Sequence, residues 1–452
     1  MSISILFPNH LAKARGAVGL SVEDLAARSD VDPKLYEEIE AGRLLPSFQE
    51  LERIRLQLGG LEPAELYAYS LVNTIGDRRF WQDKPDYKRF FESMAEGARL
   101  LVAPDELLWL DRDAVPDRAV DVFFNMSCST QFVPHLMLDS AAVLQALGVS
   151  YASGSGPQYC CGTYYRRTGR FEGGAHMNAA SVKRTIAWGA DTAVHMCTQC
   201  VNTFSEIARR EEFDQGVDQG VTHTQLLRFV DERLTELGDR VPWQRELDVR
   251  LLVHGHSTYS FVHDRAKRDV ANVARHIPGV QVVGSLDRIS IDSFCDSEPG
   301  VPKRPLPRTP AEADAYRDEL AQIGASWGAN VVSPSHQTCL QKWSPFSSDR
   351  VRVRHVMSLL AEALGVDHPD RYTAASRLGD TDAILDQTRP IWSQWSMSED
   401  QARETVRGVF DPAFSVGECA CGRSVAGQCG HRGEDIIPID VVAGRAGLTT
   451  GG

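Results

Sequence analysis

The order of five cysteines constrains this chain more than any other feature. Cys128 stands alone, the adjacent pair Cys160–Cys161 follows after 31 residues, and Cys197-x-x-Cys200 follows after another 35. Packing gives no reason for two neighbouring thiols flanked by a lone cysteine and a C-x-x-C. Thiolates in that number are soft ligands, and they select iron–sulfur chemistry or zinc. The competing reading, five buried free cysteines in a core, leaves the pairing unexplained.

Compartment decides between disulfides and metal. The N-terminus lacks a positive n-region and its apolar run is broken at Pro8 and Asn9, so it does not read as a signal peptide. No stretch approaches the ~20 apolar residues of a membrane span. The expected location is cytoplasmic, where thiols stay reduced and clustered cysteines act as metal ligands or redox groups. The 452 residues carry a formal charge of −13, which repels phosphate backbones, so any nucleic-acid role needs a local basic patch.

The chain divides into five stretches. Residues 1–72 read as helical: Ser21, Asp32-Pro33 and Pro46-Ser47 are helix starts, and Leu51, Ile54 and Leu58 share one helical face. Residues 73–115 form a charged, aromatic helical linker. From 116 to 240, short apolar strands at 120–124, 149–152 and 193–196 alternate with helices, which predicts a parallel α/β sheet. Residues 241–365 repeat that order, with strands at 249–253, 280–283 and 330–333. The repeats align at Asn125–Thr130 against Val253–Thr258 and at Cys197–Cys200 against His336–Cys339. Residues 366–452 begin helical and end Gly- and Cys-rich.

In repeat one, each cysteine group follows the end of an expected strand. Ligands collect beyond the carboxyl ends of strands in open α/β sheets, so residues distant in sequence converge there. A helix expected after Cys200 favours thiolate through its dipole, and Gly162 lets the backbone approach a bound group.

These residues resemble the cysteine-rich CCG domain of the B-type subunit of heterodisulfide reductase and its relatives. Ser127-Cys128-Ser129, Tyr159-Cys160-Cys161-Gly162 with Gly169 downstream, and Cys197-Thr-Gln-Cys200 carry the resemblance, as do both long gaps and the tandem repeat. It implies a non-cubane [4Fe–4S] cluster held by Cys128, Cys160, Cys161, Cys197 and Cys200. It also implies electron exchange with a flavoprotein or a thiol/disulfide partner.

Repeat two departs from that pattern. At the aligned positions stand His256, Cys295 after Phe294, and His336-x-x-Cys339, a Cys₂His₂ set that suits zinc, with a mixed [2Fe–2S] centre as the alternative. His254 is either their outer partner or a rival of His256. Relatives that split a disulfide between two clusters need both sites, and only one is complete here. In the tail, Cys419, Cys421, Cys429 and His431 lie within 13 positions and form a candidate knuckle for zinc or iron–sulfur.

Residues 10–69 resemble the Cro/C1-type helix-turn-helix domain, on the stretches 20–28 and 31–42 and the helix after Pro46-Ser47. Residues 1–70 hold seven Lys/Arg against eleven Asp/Glu, however, and Glu37, Glu38 and Glu40 crowd the recognition helix beside Lys34. Carboxylates there oppose phosphate contact. Lys34, Tyr36 and Arg43 are the candidate DNA contacts, and a homodimer or a docking role for this domain is the alternative.

Three functions follow: an iron–sulfur electron-transfer protein or oxidoreductase subunit, a redox- or iron-responsive transcriptional regulator, or a metalloprotein whose sites only stabilise it. No catalytic residue is identifiable. The chain has no Gly-rich dinucleotide fingerprint, so a flavin or NAD would belong to a partner. The loop at Arg304–Arg308 is a candidate contact for an acidic one.

Overall fold

Side-chain oxygens start the N-terminal helices. In the computed structural model, Ser21 caps Val22–Arg28, Asp32 caps Pro33–Glu40, and Ser47 with Glu50 forms a reciprocal capping box on Phe48–Gln57. Helices Leu11–Ala17 and Pro63–Leu66 complete this unit around Leu25, Tyr36, Ile39, Leu51 and Ile54. The structure describes residues 7, 9–61, 63–67, 94–106, 119–167, 171–209, 220–254, 261–286 and 310–410.

The body holds two four-stranded parallel sheets with the same strand order. Strands β1 (Val122–Asn125), β2 (Tyr151–Gly154), β3 (Thr192–His195) and β4 (Thr222–Gln225) lie as β2-β1-β3-β4. Strands β5 (Val249–His254), β6 (Val280–Leu286), β7 (Val331–Pro334) and β8 (Arg352–Val353) lie as β6-β5-β7-β8. Multidomain architecture, helical first and parallel α/β after, is what the pattern of the chain predicts. The edge strands β4 and β8 fall outside that expectation. Thr-His-Thr-Gln has no apolar run, and β8 is only two residues long.

Register corrects one alignment between the repeats. Asn125 pairs with His195, and His254 pairs with Pro334. Beyond these, Met196 N–H donates to Asn125 O and Ser335 N–H to His254 O. Asn125 therefore matches His254 rather than Val253. Cys197–Cys200 against His336–Cys339 stands as aligned.

The two sheets share one core, in which Phe124, Val194, Leu251 and Val331 belong to a single apolar cluster. Helix Pro134–Ala146, which follows β1, packs on Val356–Leu364, which follows β8. Helix Phe261–His276, which follows β5, packs on Leu226–Leu237, which follows β4. The same contact made twice with the repeats exchanged is the signature of a local two-fold axis between them.

Candidate metal centre

The order β2-β1-β3 has its switch point between β1 and β3, where helices leave opposite faces and open a crevice. Cys128 lies just past β1, Cys160–Cys161 follow β2, and Cys197 and Cys200 follow β3 at the start of helix Thr198–Arg209. All five are buried. Their thiols influence one another electrostatically in sequence, Cys128 with Cys160, Cys160 with Cys161, Cys161 with Cys200, and Cys200 with Cys197. Among the described residues, no three His, Cys, Asp or Glu side chains form a group able to hold a single metal ion.

Cys160 foremost, together with Cys200 and despite burial, holds the Cys161 thiol well below the ordinary thiol range. Cys200 does the same for Cys197, helped by His336 and Gln337. Cys160 and Cys200 are pushed up in turn, chiefly by Cys128 and Cys161 respectively.

Several polar residues that sequence reasoning misses build the pocket. Asn125 Nδ2 donates to Tyr159 O (3.0 Å), and its Oδ1 accepts from Ser127 N–H (2.9 Å), fastening the end of β1 to the loop carrying the cysteine pair. Ser127 takes a left-handed φ of +64° and lies 3.7 Å from Cys200 Sγ. Thr163 Oγ1 lies 3.2 Å from Cys161 Sγ, Gly162 N–H donates to Cys160 Sγ (3.3 Å), and Ser181 Oγ donates to Cys160 O (2.8 Å). The signal for most of these is their position beside the cysteines; without a fold, nothing separates them from other polar loop residues.

Gly162 is required for a reason besides the expected one. Its φ is +81°, and a Cβ there would lie 2.3 Å from the carbonyl oxygen of Gly174. This close approach is to helix Phe171–Ala187. Apolar walls close the pocket: Met94, Phe132, Tyr165 and Met177 around Cys128 and Cys160, and Val182 and Phe204 around Cys161, Cys197 and Cys200. Phe204 stacks on His195 and His223, whose facing nitrogens are 2.8 Å apart. Burial pushes His195 well down, and His223 to about 4.

Thr130 Oγ1, Gln131 Oε1, Thr198 Oγ1, Asn202 Nδ2 and Gln337 Oε1, each within three positions of one of the five cysteines or of His336, are buried without a hydrogen-bond partner among the described residues. Buried polar atoms seldom stay unsatisfied, so these residues fit a further polar group beside the cysteines.

In repeat two, His336 caps helix Gln337–Trp343 and turns towards repeat one, with Nε2 3.4 Å from Cys197 Sγ. Cys339 is buried one turn further on, and His254 stacks on Trp343 at 4.2 Å. His256, Cys295, the Arg304–Arg308 loop and the tail ligands Cys419, Cys421, Cys429 and His431 lie outside the described residues.

In the helical unit, Tyr36 must be struck from the DNA contacts. It is fully buried, and its hydroxyl donates to Glu40 Oε2 (2.7 Å), which also binds Arg15. Arg43 is exposed but forks onto Glu38 at 2.8 and 2.7 Å. Of the three, only Lys34 stands exposed with no salt bridge to the described residues.

No described helix is long and apolar enough to cross a membrane. Comparison with known families matches residues 11–66 to a helix-turn-helix domain and residues 123–205 to a cysteine-rich domain. Among curated proteins, the chain is similar to the D-type subunit of the dihydromethanophenazine:CoB–CoM heterodisulfide reductase of Methanosarcina acetivorans, at 23% identity across 59% of this chain and 64% of the relative. Its counterpart in Methanosarcina mazei is 23% identical across 58% and 64%, and that of Methanosarcina barkeri 22% across 58% and 63%. The chain thus spans a little under two thirds of the curated relatives it matches. These relatives are of the D type where the sequence resemblance names the B type, so the domain is upheld and the type of subunit is not. The chain carries an N-terminal helix-turn-helix domain and, in its first α/β repeat, a cysteine-rich domain, and it is similar to D-type subunits of heterodisulfide reductase.

Proposed function

We propose that this chain is an iron–sulfur oxidoreductase subunit of the heterodisulfide reductase type, exchanging electrons with a redox protein partner. Cys128, Cys160, Cys161, Cys197 and Cys200 would hold its cluster, of the non-cubane [4Fe–4S] kind. The observation that carries this reading is the convergence of five buried cysteines beyond the strand ends at the sheet's switch point. When bound, the cluster supplies a reversible electron-accepting centre. The chain's own residues bind and shield it: apolar walls exclude water, and Gly162 N–H, Thr163 and His336 offer hydrogen bonds to the sulfurs. The partner is a flavoprotein or a thiol/disulfide protein, in keeping with the missing dinucleotide fingerprint and with relatives that are themselves subunits.

Anaerobic purification with metal analysis and electron paramagnetic resonance tests this. The expected result is about four irons per chain, lost in Cys160→Ser or Cys161→Ser. Zinc alone would end the electron-transfer reading. Zinc beyond the iron would belong to Cys419, Cys421, Cys429 and His431, or to His256, Cys295, His336 and Cys339, the latter only if His336 turns away from Cys197. The helix-turn-helix match favours a second reading, a redox- or iron-responsive regulator. Buried Tyr36 and self-paired Arg43 weigh against it, and no sequence-specific promoter shift in either redox state would remove it.

A further inference from the structure

Cys197 and His336 occupy equivalent positions in the two repeats, each just ahead of the helix that follows the third strand of its sheet. They also touch, at 3.4 Å between Sγ and Nε2. Equivalent residues meet only near the axis relating their repeats, so repeat two presents its first helix turn to the cysteine pocket of repeat one. Gln337 does the same: its Nε2 donates to Ser129 Oγ (3.0 Å), next to Cys128. A repeat that lacks the cysteine at this position thus closes over the pocket of the repeat that keeps it.

The proton on His336 can be placed. Its Nδ1 accepts the N–H of Thr338 (3.2 Å) as the helix cap. A ring nitrogen that accepts a hydrogen bond carries no hydrogen in the neutral imidazole, so Nε2 carries it. That N–H points at the Cys197 sulfur. Donors to ligating sulfurs stabilise the more negative, reduced state and raise the reduction potential.

We propose that His336 is a positioning residue contributed by the second repeat, donating its Nε2–H to the Cys197 thiolate and setting the potential of the centre held in the first. This rests on the cluster reading above. It gives the altered repeat a role without requiring it to hold a metal of its own.

Two substitutions separate the functions of the ring. His336→Asn keeps an acceptor at the cap but cannot reach Cys197. His336→Gln loses the cap geometry but returns an N–H near the place of Nε2. The anaerobic protein is titrated with dithionite and followed by electron paramagnetic resonance, with iron counted in each variant. His336→Asn should keep the wild-type iron content while its midpoint potential falls by about 59 mV, a tenfold change in a one-electron equilibrium, and His336→Gln should recover much of the shift. An unchanged potential in His336→Asn with full iron overturns the proposal. So does loss of iron in His336→Asn, or strong ¹⁵N-histidine hyperfine coupling in the wild type, since either makes His336 a ligand rather than a donor. Wild-type protein without iron sinks the cluster reading itself, a result distinct from both.

Discussion

Replacing Gly162 with alanine tests whether the cysteine pair is held by the helix behind it. At φ +81° a non-glycine residue carries about 1–2 kcal/mol of strain. The new Cβ would also stand 2.3 Å from Gly174 O and 2.8 Å from its carbonyl carbon and Cα. Backbone cannot swing aside as a flexible side chain does, so helix Phe171–Ala187 or the loop must shift, at about 1–3 kcal/mol for an overpacked contact. The total, about 2–5 kcal/mol, corresponds to roughly 5–15 °C in Tm for a body of this size. The displacement reaches the pair directly, because Gly162 N–H bonds Cys160 Sγ while Ser181 and Asn178 of that helix donate to the Cys160 and Cys161 carbonyls. Calorimetry and iron content measured together are the assay. Gly328→Ala is the control, with φ +64° but nothing within 4 Å of its Cβ, so it bears strain alone. If the two variants lose the same Tm, or Gly162→Ala keeps both Tm and iron, the argument from close approach is wrong.

Further outcomes follow from other residues. Asn125→Ala leaves the half-buried Tyr159 carbonyl and the buried Ser127 N–H without their partner, so a loss of about 1–3 kcal/mol and of iron is expected by denaturant titration and metal analysis. Burial, aided by His135 and His336, lowers His355 to about 3. The unfolded chain therefore takes up this proton near pH 6.5 while the folded chain does not, and stability falls as pH drops from about 6.5 towards 3. His355→Asn, which keeps an acceptor for Met357 N–H, should flatten that slope by up to about 1.4 kcal/mol per pH unit; an unchanged slope counts against it. Burial pushes the Glu40 carboxyl up, but Arg15 and Tyr36 together hold it below its usual value, so its contribution is present above about pH 4.5 and lost as pH falls through the lowered value. Glu40→Gln should remove that acid limb from the helical unit's melting curve. If DNA is bound, Glu38→Gln frees Arg43 and should tighten binding at low salt; binding indifferent to Glu38, Lys34 and Arg43 would leave this helix with no part in it.

Sequence alone determined most of the elements and singled out the cysteines. Apolar runs such as 249–253 and capping residues such as Ser21, Asp32 and Ser47 act locally, so period and composition report them. Paired cysteines near strand ends stand out because packing gives no reason for their pairing. Tertiary structure decided what depends on distance. The register of β5 against β7 showed that His254, not Val253, matches Asn125. Tyr36 sits three residues along the helix from Ile39, and only packing shows that both face the core, with the Tyr36 hydroxyl satisfied by Glu40. Gly162 and Gly174 are twelve positions apart, and nothing in their spacing says that one backbone rests on the other. Likewise, His336 meets Cys197 only because two sheets pack about a local two-fold axis. Side-chain period and capping act over a few residues and can be read along the chain, whereas a contact between repeats exists only once both have folded and closed their shared core.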